Sequence, residues 1–166
     1  MEAILSRHSV RDFKPGDVPV ETLEKLLHAG MSAPSAMHSS PWHFVAVTER
    51  DRLDGVAKIH PYASMSLRAS AGILVCGDPA AETFADFFPQ NCAAAVENIL
   101  IAVSALGLGA VWVGLYPNES YIANFAQYFH LPKNIVPFAW VPIGYPLTKV
   151  GQDNRLDLSR VHYNIW

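Results

Sequence analysis

The sequence predicts one α+β domain that covers residues 1–166. Helical and strand patterns alternate along the chain, and no repeat, linker or low-complexity tract separates them. A chain of this length can bury roughly 70% of the surface that its unfolded form exposes. Hydrophobic residues make up 51% of the chain and charged residues only 16%, compared with about 25% in an average domain. This excess of apolar surface favours an extensive interface with a second copy of the chain.

Hydrophobic periodicity predicts the individual elements. In residues 20–31 the apolar side chains recur at the i, i+3, i+4 spacing of a helix, with Pro19 near its start and acidic residues in its first turns. Short apolar or β-rich runs predict the strands, and a charged segment between the first two strands predicts a surface helix. In chain order the further elements are strand 43–48, helix 50–60, strand 71–76, helix 90–106, strand 110–115, a helix around 120–129 and strand 135–143.

The helix predicted over residues 90–106 is apolar almost all round, so it must be buried on most of its sides. In so small a subunit, such burial is easiest between two protomers. Gly107 and Gly109 provide the end of this helix. They do not form a dinucleotide-binding fingerprint, because that motif follows a strand and opens a helix, whereas here the order is reversed and Trp112 occupies the third glycine position. The chain therefore has no dedicated nicotinamide domain.

Composition and sequence patterns exclude several classes of function. The net charge of −3 and the pI near 6.1 argue against a nucleic-acid or anionic-membrane partner. No run approaches the roughly 18 apolar residues of a membrane span, and the first residues lack the features of a signal peptide, so we expect a cytoplasmic protein. Cys76 and Cys92 match no metal or redox spacing, and no metal-binding histidine motif is present. Both cysteines are expected to be buried free thiols.

Two segments carry most of the functional information, and the first is RHSVRDF at residues 7–13. If this segment is extended, its side chains alternate, and Arg7, Ser9 and Arg11 project from one side. Two guanidinium groups and a hydroxyl that converge are suited to bind a phosphate. A helical conformation would remove Ser9 from that face. The simpler alternative is a solvated basic turn after a short helix.

The second segment is APSAMHSSPWHF at residues 33–44. Pro34 and Pro41 bracket its centre, and because proline fixes φ and lacks a backbone donor, neither end fits a helix or a central strand. The result is a stiff connector that presents its serine hydroxyls in fixed directions. Hydroxyl and backbone N–H groups in such a loop suit a ligand with many hydrogen-bonding groups, although an ordinary turn would have the same composition.

In this order and at this spacing, the two segments resemble the opening of the nitroreductase family, whose members are FMN-dependent oxidoreductases. Members typically begin with R-x-S-x-R-x-F and continue, after an amphipathic helix, with a proline loop, a tryptophan and a strand. The likeness continues through residues 91–109, 110–115, 143–146 and 154–166, so it covers nearly the whole chain. It implies a three-layer α/β/α sandwich with a mixed central sheet, assembled as an intertwined homodimer with two FMN molecules at its interface.

The resemblance also implies which residues bind FMN. Arg7 and Ser9 would hold the phosphate and the ribityl chain, and Arg11 would reach the pyrimidine edge of the ring. Arg155 matches the family's second phosphate ligand, with a salt bridge in the tail as the alternative. Gly114 would direct a backbone N–H toward the reacting N5 atom. The full set implied is Arg7, His8, Ser9, Arg11, Pro34, Ser35, Ala36, His38, Trp112, Val113, Gly114 and Arg155, of which Pro34, Ser35, Ala36 and His38 would come from the partner subunit.

The same resemblance implies an enzyme that transfers two electrons from NADH or NADPH to a small electron-poor acceptor, such as a nitroaromatic or a quinone. Because the chain has no nicotinamide domain, donor and acceptor would visit the bound flavin in turn, by a ping-pong mechanism. No catalytic side chain is required, since protons can come from water. The alternatives are ene reduction, reductive dehalogenation or flavin-consuming chemistry of the same superfamily, and a non-catalytic protein that stores or senses FMN.

The proline loop departs from the family pattern at two positions. His38 stands where members usually carry Asn, and Ser40 replaces the usual Gln. The chain is also short for the family, which favours a more open or partner-supplied pocket. The candidate walls of that pocket are Phe84, Phe87 and Phe88, with ordinary core packing as the alternative.

The replacement of Asn by His38 leads to a first prediction. An imidazole can donate one hydrogen bond, as an amide does, but it can also titrate near neutral pH. We therefore expect the flavin potential or the acceptor preference to vary with pH in the wild-type protein and to lose that variation in His38→Asn. Equally flat pH profiles for the two proteins would contradict this prediction.

Overall fold

The computed structural model describes residues 1–148, 151 and 154–166. Within this part of the chain, no helix is both long and apolar enough to cross a membrane. Short 3-10 turns connect several of the longer elements. In chain order the helices and strands are α1 (Glu2–Ser6), β1 (Phe13–Lys14), α2 (Val20–Met31), β2 (Trp42–Val47), α3 (Arg50–Ile59), β3 (Ala71–Gly77), α4 (Phe88–Ala105), β4 (Gly109–Ala110), β5 (Val113–Gly114), α5 (Glu119–Tyr128) and β6 (Val136–Pro146).

The central sheet is built around β6. β3 pairs with β6 along one edge, and β2 extends the sheet beyond β3. The short strands β1, β4 and β5 also pair with β6. All of these pairings are antiparallel, so among the described residues the parallel component of the predicted mixed sheet is one bridge between Ser9 and Ala110.

Helices cover both faces of the sheet. Side chains alternate along β3, as they must in a strand. Ile73 and Val75 pack in the cluster that α2 and α4 cover, whereas Leu74 and Cys76 pack in the cluster that α3 and α5 cover. All four side chains are fully buried, so each face of the sheet has its own apolar core. The predicted three-layer α/β/α sandwich is confirmed.

The end of α4 follows the sequence prediction. Gly107 has a φ of +71°, a left-handed conformation that favours glycine. The Gly107 N–H donates to the Ser104 carbonyl at 3.1 Å, and the Leu108 N–H donates to the Val103 carbonyl at 3.0 Å. These two bonds form a Schellman motif, which satisfies the last carbonyls of the helix and directs the chain into β4.

The strand predicted over residues 110–115 is interrupted. Its two halves, β4 and β5, keep one register on β6, in which Ala110 lies opposite Ile143. The same register places Pro142 opposite Val111. A proline has no N–H to donate to a neighbouring strand, so the ladder stops there and resumes at β5.

Candidate functional site

The arginine segment, residues 7–13, is extended and is attached to β4. The Val10 N–H donates to the Ala110 carbonyl at 2.8 Å, and Ser9 forms the parallel bridge to the same residue. Val10 is half-buried, whereas Ser9 and Arg11 are exposed, so the side chains alternate as in a strand. The helical alternative is therefore wrong, because α1 ends before this segment begins.

Arg7 and Arg155, which are distant in sequence, are in direct contact. Nη1 and Nη2 of Arg155 each lie 3.2 Å from the Arg7 carbonyl oxygen and donate to it. The Arg7 side chain places its Nε 3.4 Å from Oε1 of Glu97 on α4. His8 is fixed next to Arg7, with Nδ1 2.7 Å from the Ser6 carbonyl oxygen. Two guanidinium-bearing residues in contact form a suitable base for binding an anion such as a phosphate ester.

The proline loop contains one turn of 3-10 helix, Ala36–His38, with a strained backbone. Met37, His38 and Ser40 have φ values of +54°, +55° and +45°, in the left-handed region that residues other than glycine rarely adopt. The Ser40 N–H donates to Oγ of Ser35 at 3.0 Å and so closes the loop on itself. The stiff connector predicted from the two prolines is present, and hydrogen bonds within the turn contribute to its rigidity.

Asn91 on α4 joins this loop to the rest of the subunit. The residue is only 5% exposed, and its Oδ1 accepts a hydrogen bond from the Ala36 N–H at 3.0 Å. Its Nδ2 donates to Oε1 of Glu82 at 2.7 Å and to Oγ of Ser39 at 3.3 Å. Sequence reasoning missed Asn91 and Glu82, because the contact that gives both a role joins Asn91 to Ala36, 55 positions away in the chain.

Residues 112–114 divide between the core and the surface. Val113 is buried, and the Trp112 ring packs edge-on against Phe138, with the ring centroids 5.7 Å apart. Gly114 is exposed, and a Cβ built on it would meet no atom within 4 Å. A flat ligand can therefore approach the backbone at Gly114 closely, whereas the half-buried Trp112 ring packs against the core.

Arg7 and Arg155 form an arginine cluster. This cluster and the proline loop contact different sides of α4. Glu97 pairs with Arg7, whereas Asn91 binds the loop. Six residues separate Asn91 from Glu97, which is about 9 Å along the helix axis and about 120° around it. The predicted site residues thus form two groups within one subunit: Arg7, His8, Ser9, Arg11, Trp112, Val113, Gly114 and Arg155 near β4 and β5, and Pro34, Ser35, Ala36 and His38 in the loop.

The three phenylalanines considered as pocket walls have different surroundings. Phe84 and Phe87 are exposed, and their ring centroids are 6.2 Å apart in an edge-to-face contact. Phe88 is buried against Tyr116 and Phe138 in the core. For Phe88, ordinary core packing is the correct interpretation, so Phe84 and Phe87 remain the candidates among the three.

The two cysteines are buried free thiols, as the sequence predicts. Burial raises the pKa of Cys76 to about 12, and burial together with nearby negative charge raises the pKa of Cys92 to about 12. Both thiols are therefore protonated at neutral pH, and neither provides a reactive thiolate.

His60 lies near Gly114 and was not found by sequence reasoning. It is 2% exposed, and its ring centroid is 4.2 Å from that of Tyr121. Nδ1 accepts a hydrogen bond from the Tyr62 N–H at 3.2 Å, while Nε2 has no partner of hydrogen-bonding geometry among the described residues. Burial lowers the pKa of His60, and the backbone of Gly114 offsets part of that effect.

Comparison with known proteins identifies the family. A sequence model of the nitroreductase family matches residues 4–145, which include both segments singled out in the sequence. The chain belongs to the nitroreductase family. The match begins within α1 and ends at residue 145 in β6, so it covers the central sheet of this nitroreductase except for Pro146.

One relative and two solved structures illustrate the similarity. A protein of Methanothermobacter thermautotrophicus, provisionally named an NADH dehydrogenase/NAD(P)H nitroreductase, is 39% identical over 166 residues, which are 100% of this chain and 87% of that protein. The crystal structure of a provisionally named NADH oxidase from Clostridium acetobutylicum has a TM-score of 0.95 at 35% identity and covers 99% of each chain. A provisionally named nitroreductase from Desulfovibrio desulfuricans, crystallised in complex with FMN, has a TM-score of 0.83 at 29% identity over 99% of this chain and 95% of that one. The fold predicted from the sequence is confirmed.

The environment of His60 predicts how the stability of this nitroreductase depends on pH. Because the folded state lowers the pKa of His60, the unfolded chain takes up a proton first as the pH falls below the ordinary value of 6.5. The free energy of unfolding should therefore decrease below that pH, by at most about 1.4 kcal/mol per pH unit from this group. His60→Phe should remove this component, as measured by urea unfolding between about pH 8 and about pH 5. The control is His43→Gln, at an exposed histidine on β2, which should unfold with the wild-type pH dependence. An unchanged pH dependence in His60→Phe would refute the prediction.

Proposed function

We propose that this nitroreductase is a homodimer that passes two electrons from NADH or NADPH to a small electron-poor acceptor of the nitroaromatic or quinone type. The chain is an FMN-dependent NAD(P)H oxidoreductase of the nitroreductase family. The contact between Arg7 and Arg155, beside the open backbone at Gly114, is the observation that carries the proposal. In this proposal residues 1–166 act as a single FMN-binding domain.

The residues at this site fit FMN, which has a phosphate at one end and a planar ring at the other. The charged end is the contact between Arg7 and Arg155, beside the exposed Ser9. The open end is the backbone at Gly114. Along β6, the partners of Ala110 and Gly114 are four residues apart, which is about 13 Å at the rise of a strand. Positive charge at one end and accessible backbone at the other match the two ends of the cofactor.

Each predicted residue has a specific role in the proposal. Arg7 and Arg155 bind the phosphate, while His8 and Ser9 approach the ribityl chain. Arg11, which is exposed like Ser9, reaches the pyrimidine edge of the ring. The ring itself would lie against Trp112, Val113 and Gly114 of one subunit and against Pro34, Ser35, Ala36 and His38 of the other.

The protein residues position reactants and stabilise charge. Bound FMN would supply the redox chemistry, which is hydride acceptance from the nicotinamide and transfer of two electrons to the acceptor. With a quinone, the overall reaction consumes NAD(P)H, the quinone and one proton and yields NAD(P)⁺ and the hydroquinone. Arg11 supplies a cation where negative charge accumulates on reduction. Water supplies the proton, so donor and acceptor can use the site in turn, by a ping-pong mechanism.

Exposed apolar side chains support a homodimer. Trp166 is 97% exposed, and large apolar patches of this kind usually mark interfaces. A second copy that covers this surface and contributes its proline loop would also unite the two groups of site residues on α4. Among the exposed apolar residues are Val20 and Met31 on α2, Met37 in the loop, and Leu156, Leu158, Tyr163, Ile165 and Trp166 in the tail.

Visible spectra recorded during anaerobic titration with NADH, and then with NADPH, test the proposed function. Flavin bands that bleach with a nicotinamide and return with a quinone or a nitroaromatic are the expected result. Bands that persist with both donors would exclude NAD(P)H as the reductant and favour a non-catalytic FMN-binding protein. A protein that takes up no FMN after reconstitution would contradict the assignment of Arg7, Ser9 and Arg11.

The role of Arg155 gives a second test. A charged hydrogen-bonding group contributes about 1.5–3 kcal/mol, so Arg155→Ala should weaken FMN binding roughly ten- to hundredfold. Arg160, in the same tail, pairs with Asp157 at 3.0 Å and provides the matched control. Fluorescence titration of FMN should give a wild-type dissociation constant for Arg160→Ala, and equal constants for the two variants would remove Arg155 from the site.

A further inference from the structure

Asn91 is a buried polar residue that the proposed chemistry does not use. Its amide makes three hydrogen bonds, to Ala36 and Ser39 in the proline loop and to Glu82 in the segment before α4. Buried side-chain amides are costly unless both their oxygen and their nitrogen find partners. Here both find partners, and two of the three lie in the loop.

The contacts of Asn91 bracket two of the three left-handed residues in that loop. Ala36 precedes the left-handed residues Met37 and His38, and Ser39 follows them. Left-handed backbone in residues other than glycine costs free energy and persists where the surroundings enforce it. Asn91 provides such surroundings, since its oxygen holds one end of the turn and its nitrogen holds the other.

Glu82 determines which way the Asn91 amide points. An ionised carboxylate only accepts hydrogen bonds, so Nδ2 must face Oε1 of Glu82, at 2.7 Å. The amide oxygen is then directed toward the Ala36 N–H, which needs an acceptor. The acceptor oxygen of Glu82 therefore favours the orientation that the loop requires.

We propose that Asn91 and Glu82 form a clamp that holds the proline loop in its flavin-binding conformation. Both are positioning residues: Asn91 acts through Ala36 and Ser39, and Glu82 acts through Asn91. The inference rests on the proposed function, in which residues 34–38 approach the FMN ring of the partner subunit. The clamp of one protomer thus shapes the flavin site of the other.

Reversing the hydrogen-bond pattern tests the clamp. Asn91→Asp keeps an acceptor for the Ala36 N–H but places a carboxylate against Glu82 and removes the amide donors. FMN binding should weaken roughly tenfold or more. In the double variant Asn91→Asp/Glu82→Gln, the Gln amide can donate to the new carboxylate, so binding should return to within about threefold of wild type. Glu82→Gln alone retains an acceptor for Nδ2 and should have a small effect.

Asn98 provides a control on the same helix. Its Nδ2 donates to the Ala29 carbonyl at 3.1 Å, away from the loop. Asn98→Asp makes the same chemical change as Asn91→Asp and should lower thermal stability without changing the FMN dissociation constant. A general packing defect would instead weaken FMN binding equally in both variants.

The dissociation constant for FMN and the visible circular dichroism of the bound flavin are measured for all five proteins. The clamp is supported if Asn91→Asp alone loses affinity and alters the flavin signal, and if Glu82→Gln restores both. It is overturned if Asn91→Asp binds FMN as wild type does, if the double variant is not restored, or if Asn98→Asp behaves like Asn91→Asp. Wild-type protein that binds FMN but is not reduced by NAD(P)H would contradict the proposed reaction and leave the clamp open to the same test, whereas wild-type protein that binds no FMN would overturn both.

Discussion

Pairing along one edge of β6 is the constraint on which the rest of the site depends. One edge of β6 pairs with β3. The opposite edge, from Ala139 to Pro146, pairs in turn with β5, β4 and β1. β4 attaches the arginine segment through Ala110, and β5 presents the backbone of Gly114. Pro142 separates the two short strands without changing their register. A shift of register on β6 would therefore move together the groups that we propose bind the phosphate and the ring.

The second constraint is α4, whose polar residues Asn91, Glu97 and Asn98 bind three different parts of the subunit. Asn91 holds the proline loop, Glu97 pairs with Arg7, and Asn98 donates to the carbonyl of Ala29 on α2. Asn91 is buried and Asn98 is half-buried, so their amides need partners within the protein, whereas the exposed Glu97 is paired with a cation. The same helix thereby fills the core and fixes the relative positions of α2, the arginine segment and the loop.

Local patterns in the sequence were sufficient for the long elements and insufficient for contacts between distant segments. The bounds of α2 follow from its apolar spacing, and the end of α4 follows from Gly107. The interruption between β4 and β5 arises from Pro142, about thirty residues further along the chain, so no pattern within residues 110–115 contains it. The environments of His60 and Asn91 likewise arise from tertiary packing. The same packing makes it unfavourable to expose either side chain or to change its hydrogen-bond partners.

Within the proposed function, the two groups of site residues have different physical tasks. In the first group, guanidinium groups and backbone recognise the phosphate and the ring of FMN. Their contacts do not depend on which acceptor is reduced. The acceptor must approach the flavin beside the loop, where His38 departs from the family pattern, and near the exposed Phe84. Glu82 is two residues before Phe84 in the chain and accepts a hydrogen bond from Asn91, which holds the loop. Substitutions that change acceptor preference should therefore be coupled through Asn91 and Glu82, whereas substitutions in the arginine cluster should affect cofactor retention for every acceptor alike.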